Sequence, residues 1–190
     1  SRNSVREAIC TLSLLGFVSS TQGAGNFVTC DIEQNLRESL RMMVMLGETN
    51  YLQISQLRCG LESENARLAA GRILPRQAAR LRELARLMRE ESDAQKASRY
   101  DQEFHLLLCE ASGNRLIKSL FSAMLSTIND FISTMYVRIV EDPGQAAALH
   151  TAHEQLADAL AARDGDAAGK AMRTHFEVVD ASIRQEQLRQ

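Results

Sequence analysis

The sequence predicts an all-α fold, an antiparallel bundle of about seven helices, and three observations carry that expectation. From Asp31 onward apolar residues recur at i, i+3, i+4 and i+7, the period of a helix with one buried face. The two prolines, Pro75 and Pro143, both stand where a helix can open, because a first-turn residue has no use for its N–H. Short clusters of turn residues fall near 47–50, 71–75, 92–98, 113–114, 141–144 and 163–166, and divide the chain into helix-length pieces.

The first thirty residues differ in kind from the rest. SRNSVREAICTLSLLGFV opens as a short helix, and SSTQGAGNFVTC follows as two β-prone runs around a Gly23-Ala24-Gly25 turn, a hairpin pattern. A helix and hairpin of this size bury little core by themselves, so a segment upstream is expected. Helices are then predicted over about 33–46, 51–71, 75–92, 97–111, 115–140, 145–162 and 165–188. In the first of these Met42, Met43 and Met45 are expected to pack on the bundle, methionine being suited to irregular gaps. The predicted division is 1–30 and 31–190.

At 190 residues, with 45% hydrophobic residues and a formal charge of −2, the chain can build a full core and lacks the strong basic excess of a bulk nucleic-acid binder. Cys10, Cys30, Cys59 and Cys109 are scattered without a CxxC pair, which excludes a zinc knuckle or thioredoxin motif and fits a reduced, cytoplasmic protein. There is no apolar run of ~18 residues for a membrane span and no signal peptide pattern.

Ionisable residues on the predicted buried faces point to function. Asp101 and His105 are spaced i, i+4 on the face that also carries Phe104 and Leu108. His153 lies in the stripe Leu149, Ala152, Leu156, Leu160, and His175 in the stripe Ala168, Ala171, Met172, Val178, Val179. One buried imidazole can be satisfied by a backbone carbonyl. Four unsatisfied buried polar groups, at roughly 1–3 kcal/mol each, would take a large share of a domain's stability. A divalent metal accounts for all four together, and imidazole with carboxylate suits zinc first, with nickel, manganese or iron as alternatives. His150, three residues before His153, is the competing candidate ligand, and Ser112, Asn129, Ser133 and Tyr136 have a helical spacing that can turn polar groups toward a cavity. GxSxG, GxxxxGK and HExxH are all absent. A small metal-dependent hydrolase or lyase remains the alternative to a binding protein, although Glu103 and Glu110 fall on other faces of the Asp101 helix.

The segment SRNSVREAICTLSLLGFVSSTQGAGNFV resembles the second half of the winged helix-turn-helix of GntR-type bacterial repressors, which runs S-R-x-x-V-R-E-A-L, then G-L-V, then a wing ending in F-V. LRCGLESENARLAA, DQEFHLLLCEASGN and HEQLADALAARDGDAAGKAMRTH are similar to successive helices of the FCD effector-binding domain of the FadR branch. The resemblance implies one divalent metal held by Asp101, His105, His153 and His175, with a small carboxylic acid in the remaining positions. It assigns the acid's charge to Arg58 and places Asn114 at the same cavity, where its other role is to end a helix. For DNA, it puts Ser1, Arg2, Asn3 and Arg6 on the recognition helix and Gln22 and Gly23 at the wing tip. The function so implied is a metabolite-responsive transcription regulator, a homodimer on palindromic operator half-sites, and not an enzyme.

Overall fold

The computed structural model describes residues 1–21, 23–29 and 32–188. It contains α1 (Arg2–Leu14), β1 (Val18–Thr21), β2 (Gly25–Val28), α2 (Ile32–Met45), α3 (Tyr51–Ala70), α4 (Pro75–Glu90), α5 (Ala94–Ser112), α6 (Arg115–Glu141), α7 (Pro143–Ala161) and α8 (Gly165–Gln187). The seven predicted bundle helices are α2 to α8.

Most helix starts are set by one side chain. Asn50, Asp93, Asn114, Asp142 and Asp164 each accept a hydrogen bond from a backbone N–H of the first turn that follows, and Asn50 with Gln53 forms a reciprocal capping box. Two starts were expected a few residues late. Asp93 caps Gln95 and Lys96, so α5 begins at Ala94, and Asp142 caps Gly144 and Gln145, so α7 begins at Pro143. At the other end of α5, Gly113 takes φ +68, and a side chain there would meet Arg72, whose guanidinium donates to the Ser112 carbonyl at 2.9 Å.

Helix α3 lies inside the bundle and packs against α5, α6, α7 and α8. Its exposed stripe is narrow, running through Gln53, Gln56, Leu57, Gly60 and Arg67, and the broad remainder is covered by neighbours, so Ser55, Arg58, Glu62, Ser63 and Asn65 are all buried on it. The main core joins Leu81, Leu84 and Met88 of α4 to Phe104 and Leu108 of α5 and to Leu156 of α7, with Met172 and Phe176 of α8 on the far side. Three-residue loops connect α4 to α5 and α7 to α8, which suits antiparallel neighbours.

Helix α2 corrects one expectation. Leu40 and Val44, one turn apart, are the residues that pack on the bundle, beside Phe121 and Ile128 respectively. The remaining sides of the helix point outward, so Met42, Met43 and Met45 are exposed. A second unanticipated feature is a non-helical residue within α6, Ile128, at φ −118 and ψ 16.

At the N-terminus β1 and β2 pair antiparallel, with Val18 opposite Val28 and Thr21 opposite Gly25. Ser13 Oγ donates to the Val18 carbonyl at 2.8 Å and fastens α1 to the hairpin, and Asn35 of α2 donates to the Leu15 carbonyl.

Leu84 is fully buried between helices. Leu84→Ala should lower the unfolding free energy by ~2–5 kcal/mol in denaturant titration, because the rigid helices around it cannot close the space.

Candidate metal and ligand site

Asp101 and His105 project from α5, His153 from α7 and His175 from α8, and all four are buried. One potential ligand atom from each lies within 4.8 Å of all the others. Asp101 Oδ1 is 3.1 Å from His153 Nε2 and 3.7 Å from His105 Nε2. The ring centre of His175 stands 4.6 Å from that of His153 and 4.9 Å from that of His105.

The decisive property of the cluster is what its inner atoms lack. Asp101 Oδ1, His105 Nε2, His153 Nε2 and His175 Nδ1 are buried without a hydrogen-bond partner. Two of the rings are held by their outer nitrogens. His153 Nδ1 lies 3.0 Å from the Leu149 carbonyl, which can only accept, so the proton sits on Nδ1 and the Nε2 lone pair faces the cluster in the neutral ring. His105 Nδ1 meets the Glu62 carboxylate, which fixes the same tautomer. The donors fit a divalent cation in kind and nearly in spacing. Bonds of about 2.0–2.2 Å put ligand atoms roughly 3.3–3.6 Å apart in a tetrahedron and roughly 4.4 Å apart for a trans pair in an octahedron, so a pair at the 4.8 Å limit draws in by about 0.4 Å in the second case and by more than about 1 Å in the first.

Charges are balanced around the cluster without solvent. Burial raises the Asp101 carboxyl, but His105 and His153 outweigh it and hold the group well below its usual value. Burial likewise opposes the charge on Glu62, and His105 and Arg58 overcome it. His105 is desolvated too, yet the Glu62 and Asp101 carboxylates push it from 6.5 up to about 9. His175 goes the other way: burial, then the neighbouring His153 and His105, keep it neutral. In the metal-free chain a proton therefore occupies the place on His105 that a cation would take.

Glu62 was not singled out from the sequence. It accepts from Arg58 Nε at 3.0 Å with one oxygen and faces His105 with the other. The available signal was its i, i+4 spacing from Arg58 on one helix, two charges on the same inward side. Arg58 also lies over the rings of Phe176, at 5.2 Å, and Phe121, at 5.7 Å. Among the described residues its terminal nitrogens have no hydrogen-bond partner.

Arg58 lines a cavity that reaches the cluster at Asp101 and His175 and is walled largely by α6 and α8. It comprises about 460 Å³ of atom-free space, of which about 30 Å³ admits the centre of a water molecule. Of the four polar residues suspected from helical spacing, Tyr136 lines it, with a buried hydroxyl lacking any partner. Ser133 is bonded to Ser98 at 2.8 Å, Ser112 to the Cys109 carbonyl at 2.8 Å, and Asn129 is exposed. Asn114 caps α6 through Ile117 and is not part of the cavity wall. His150 lies outside the cluster of four. Glu103 and Glu110 are on the surface, paired with Arg80 and Lys118.

On the N-terminal unit, Ser1 caps α1, and Arg2, Asn3 and Arg6 are exposed on its first turns. Gly23 is exposed in the hairpin turn at φ +82, and Gln22 lies outside the described residues.

Residues 53–178 match the FCD domain. The chain belongs to the FCD domain family. Among curated relatives of this FCD chain, the HTH-type transcriptional regulator LutR of Bacillus subtilis is 28% identical over 95% of the chain and 83% of its own length. The putative L-lactate dehydrogenase operon regulatory protein of Escherichia coli is 28% identical over 97% of the chain and 72% of its own length. In fold, the chain is similar to a GntR protein of Streptococcus agalactiae, with a TM-score of 0.62 at 22% identity, covering 96% of this chain and 82% of that one. These relatives are named as regulators, and the solved neighbour, named as a GntR protein, shares the fold. No helix among the described residues is long and apolar enough to cross a membrane.

Adding zinc to metal-free protein should raise its melting temperature, since occupancy at a hundred times Kd adds about 2.7 kcal/mol. In His153→Ala that rise should vanish. Glu62→Gln, which keeps the shape and removes the charge behind His105, should retain zinc binding but weaken it ~10–100-fold in competition with a chelating dye.

Proposed function

We propose that the helical part, residues 31–190, senses a small organic acid at a divalent metal held by Asp101, His105, His153 and His175, and passes the signal to residues 1–30, the C-terminal half of a winged helix-turn-helix. The observation that supports this most directly is the set of four partnerless buried atoms beside an arginine whose terminal nitrogens have no hydrogen-bond partner among the described residues. Zinc is the first choice for three imidazoles and a carboxylate, with nickel, manganese and iron as alternatives.

Charge balance favours an acid as the effector. Asp101 and Glu62 contribute two negative charges, and Arg58 with a divalent cation contributes three positive ones, leaving one unit uncompensated in a desolvated site. A monoanion removes it, and an uncompensated buried charge is expensive. A bound cation supplies open coordination positions and positive charge for the acid's carboxylate. Arg58 supplies the second grip, through terminal N–H groups suited to two parallel bonds to a carboxylate. Asn114 at the start of α6 adjoins Ser112 and belongs to the same end of α5, so its place in effector binding is as a support for the α5–α6 turn.

On the DNA side, Ser1, Arg2, Asn3 and Arg6 form the exposed start of the reading helix, and Gln22 and Gly23 the wing tip. Arginine pairs bidentately with guanine, so Arg2 and Arg6 are the base readers. The regulator acts in the cytoplasm as a homodimer on palindromic half-sites, and the acid changes operator affinity by the coupling usual for such proteins, about 1–3 kcal/mol.

Arg58→Ala should weaken a stabilising carboxylic acid at least tenfold while changing zinc affinity far less, both read by calorimetry on one preparation; equal losses would assign Arg58 to the scaffold. Selection from random duplexes by the regulator should return paired half-sites about 10 base pairs apart, and Arg6→Ala should relax preference at one position of each half-site.

A further inference from the structure

We infer that the acid taken by this site has a single carboxylate on an apolar tail, branched or aromatic, rather than a chain of hydroxyls or a second carboxylate. The inference rests on the acid-sensing reading above and concerns the wall beyond the metal cluster.

Polar atoms on that wall are few, and most are already engaged. Ser55 Oγ donates to Asp180 at 2.6 Å, and Arg58 Nε to Glu62 at 3.0 Å. Asp101 and His175 belong to the cluster. Three features remain for a ligand, the Arg58 guanidinium, the buried Tyr136 hydroxyl and, at the exposed side, the Tyr51 hydroxyl. The guanidinium answers one carboxylate, and each hydroxyl answers one further polar atom. Ile128, Phe131, Ile132 and Met135 on α6 and Val179 and Ile183 on α8 face the cavity with nothing to offer a hydroxyl. A polyhydroxylated acid would bury groups without partners, and each stranded one lowers affinity by about tenfold.

The dimensions agree. Polar cavities stay open around ordered water, whereas apolar walls tend to remain dry. Here the apolar walls stand close together, and only about 30 Å³ of the cavity admits a water centre. Apolar side chains can separate around a tail without breaking hydrogen bonds, and α6 already departs from helical geometry at Ile128, beside the site. Tyr51 stacks on Phe131 with ring centres 3.6 Å apart at the exposed side of the same wall, so a ring or branched chain meets aromatic surface there.

The test is calorimetry on the zinc-loaded chain with 4-methylpentanoate and phenylacetate against gluconate and succinate. The expected result is at least tenfold tighter binding of the first pair, with Ile132→Ser narrowing the ratio at unchanged zinc content. Gluconate or succinate binding as tightly as the apolar acids would overturn the inference and leave the acid-sensing reading standing. Binding of none of the four would overturn both. A ratio unaffected by Ile132→Ser would show that the tail does not lie on this wall, and would also overturn the inference.

Discussion

Four potential ligand atoms gathered within 4.8 Å of one another in a desolvated interior impose the main constraint on this molecule. Asp101, His105, His153 and His175 come from three helices, so their convergence requires α5, α7 and α8 to meet at a set distance and rotation. Hydrophobic packing alone tolerates small rotations of a helix, because area burial has no direction. Imidazole lone pairs do have direction. The Leu149 carbonyl behind His153 and the Glu62 carboxylate behind His105 turn those rings inward and leave them no alternative partner.

Helix α3 makes this arrangement possible. It lies among α5, α6, α7 and α8 and brings two opposite charges into the core on one face, Arg58 and Glu62. The Arg58–Glu62–His105 series joins the cavity to the cluster through direct contacts. Any ligand that draws on Arg58 therefore acts on the charge behind His105. In the proposed reading, coupling between acid and cation needs no long path, because Arg58 and His105 share the Glu62 carboxylate.

The N-terminal unit is held differently. Its helix and hairpin are fastened to each other through Ser13 and the β1–β2 pairing, and Asn35 of α2 reaches back to the Leu15 carbonyl. Attachment of this kind, through few contacts, suits a part whose position can be biased by events in the bundle, as two-state regulation requires.

Much of this was legible in the chain itself. Helical periodicity, the two prolines and clusters of turn residues placed the bundle helices to within a few residues, and the inward histidines announced themselves as ionisable residues inside apolar stripes. Local chemistry determines those features: an Asp or Asn ahead of a helix caps it whatever lies nearby, and a stripe of leucines has to be buried somewhere. Tertiary structure decided which sides met. Met42, Met43 and Met45 point outward because Leu40 and Val44 engage α6 and its surroundings, and neither set has a pattern that excludes the other. Glu62 became the support of His105, and Tyr136 an unpartnered hydroxyl in a cavity wall, only once residues more than forty positions apart were in contact. Periodicity assigns a side chain to a face of its own helix; what stands opposite depends on how helices pack, and that is settled by the sum of all contacts.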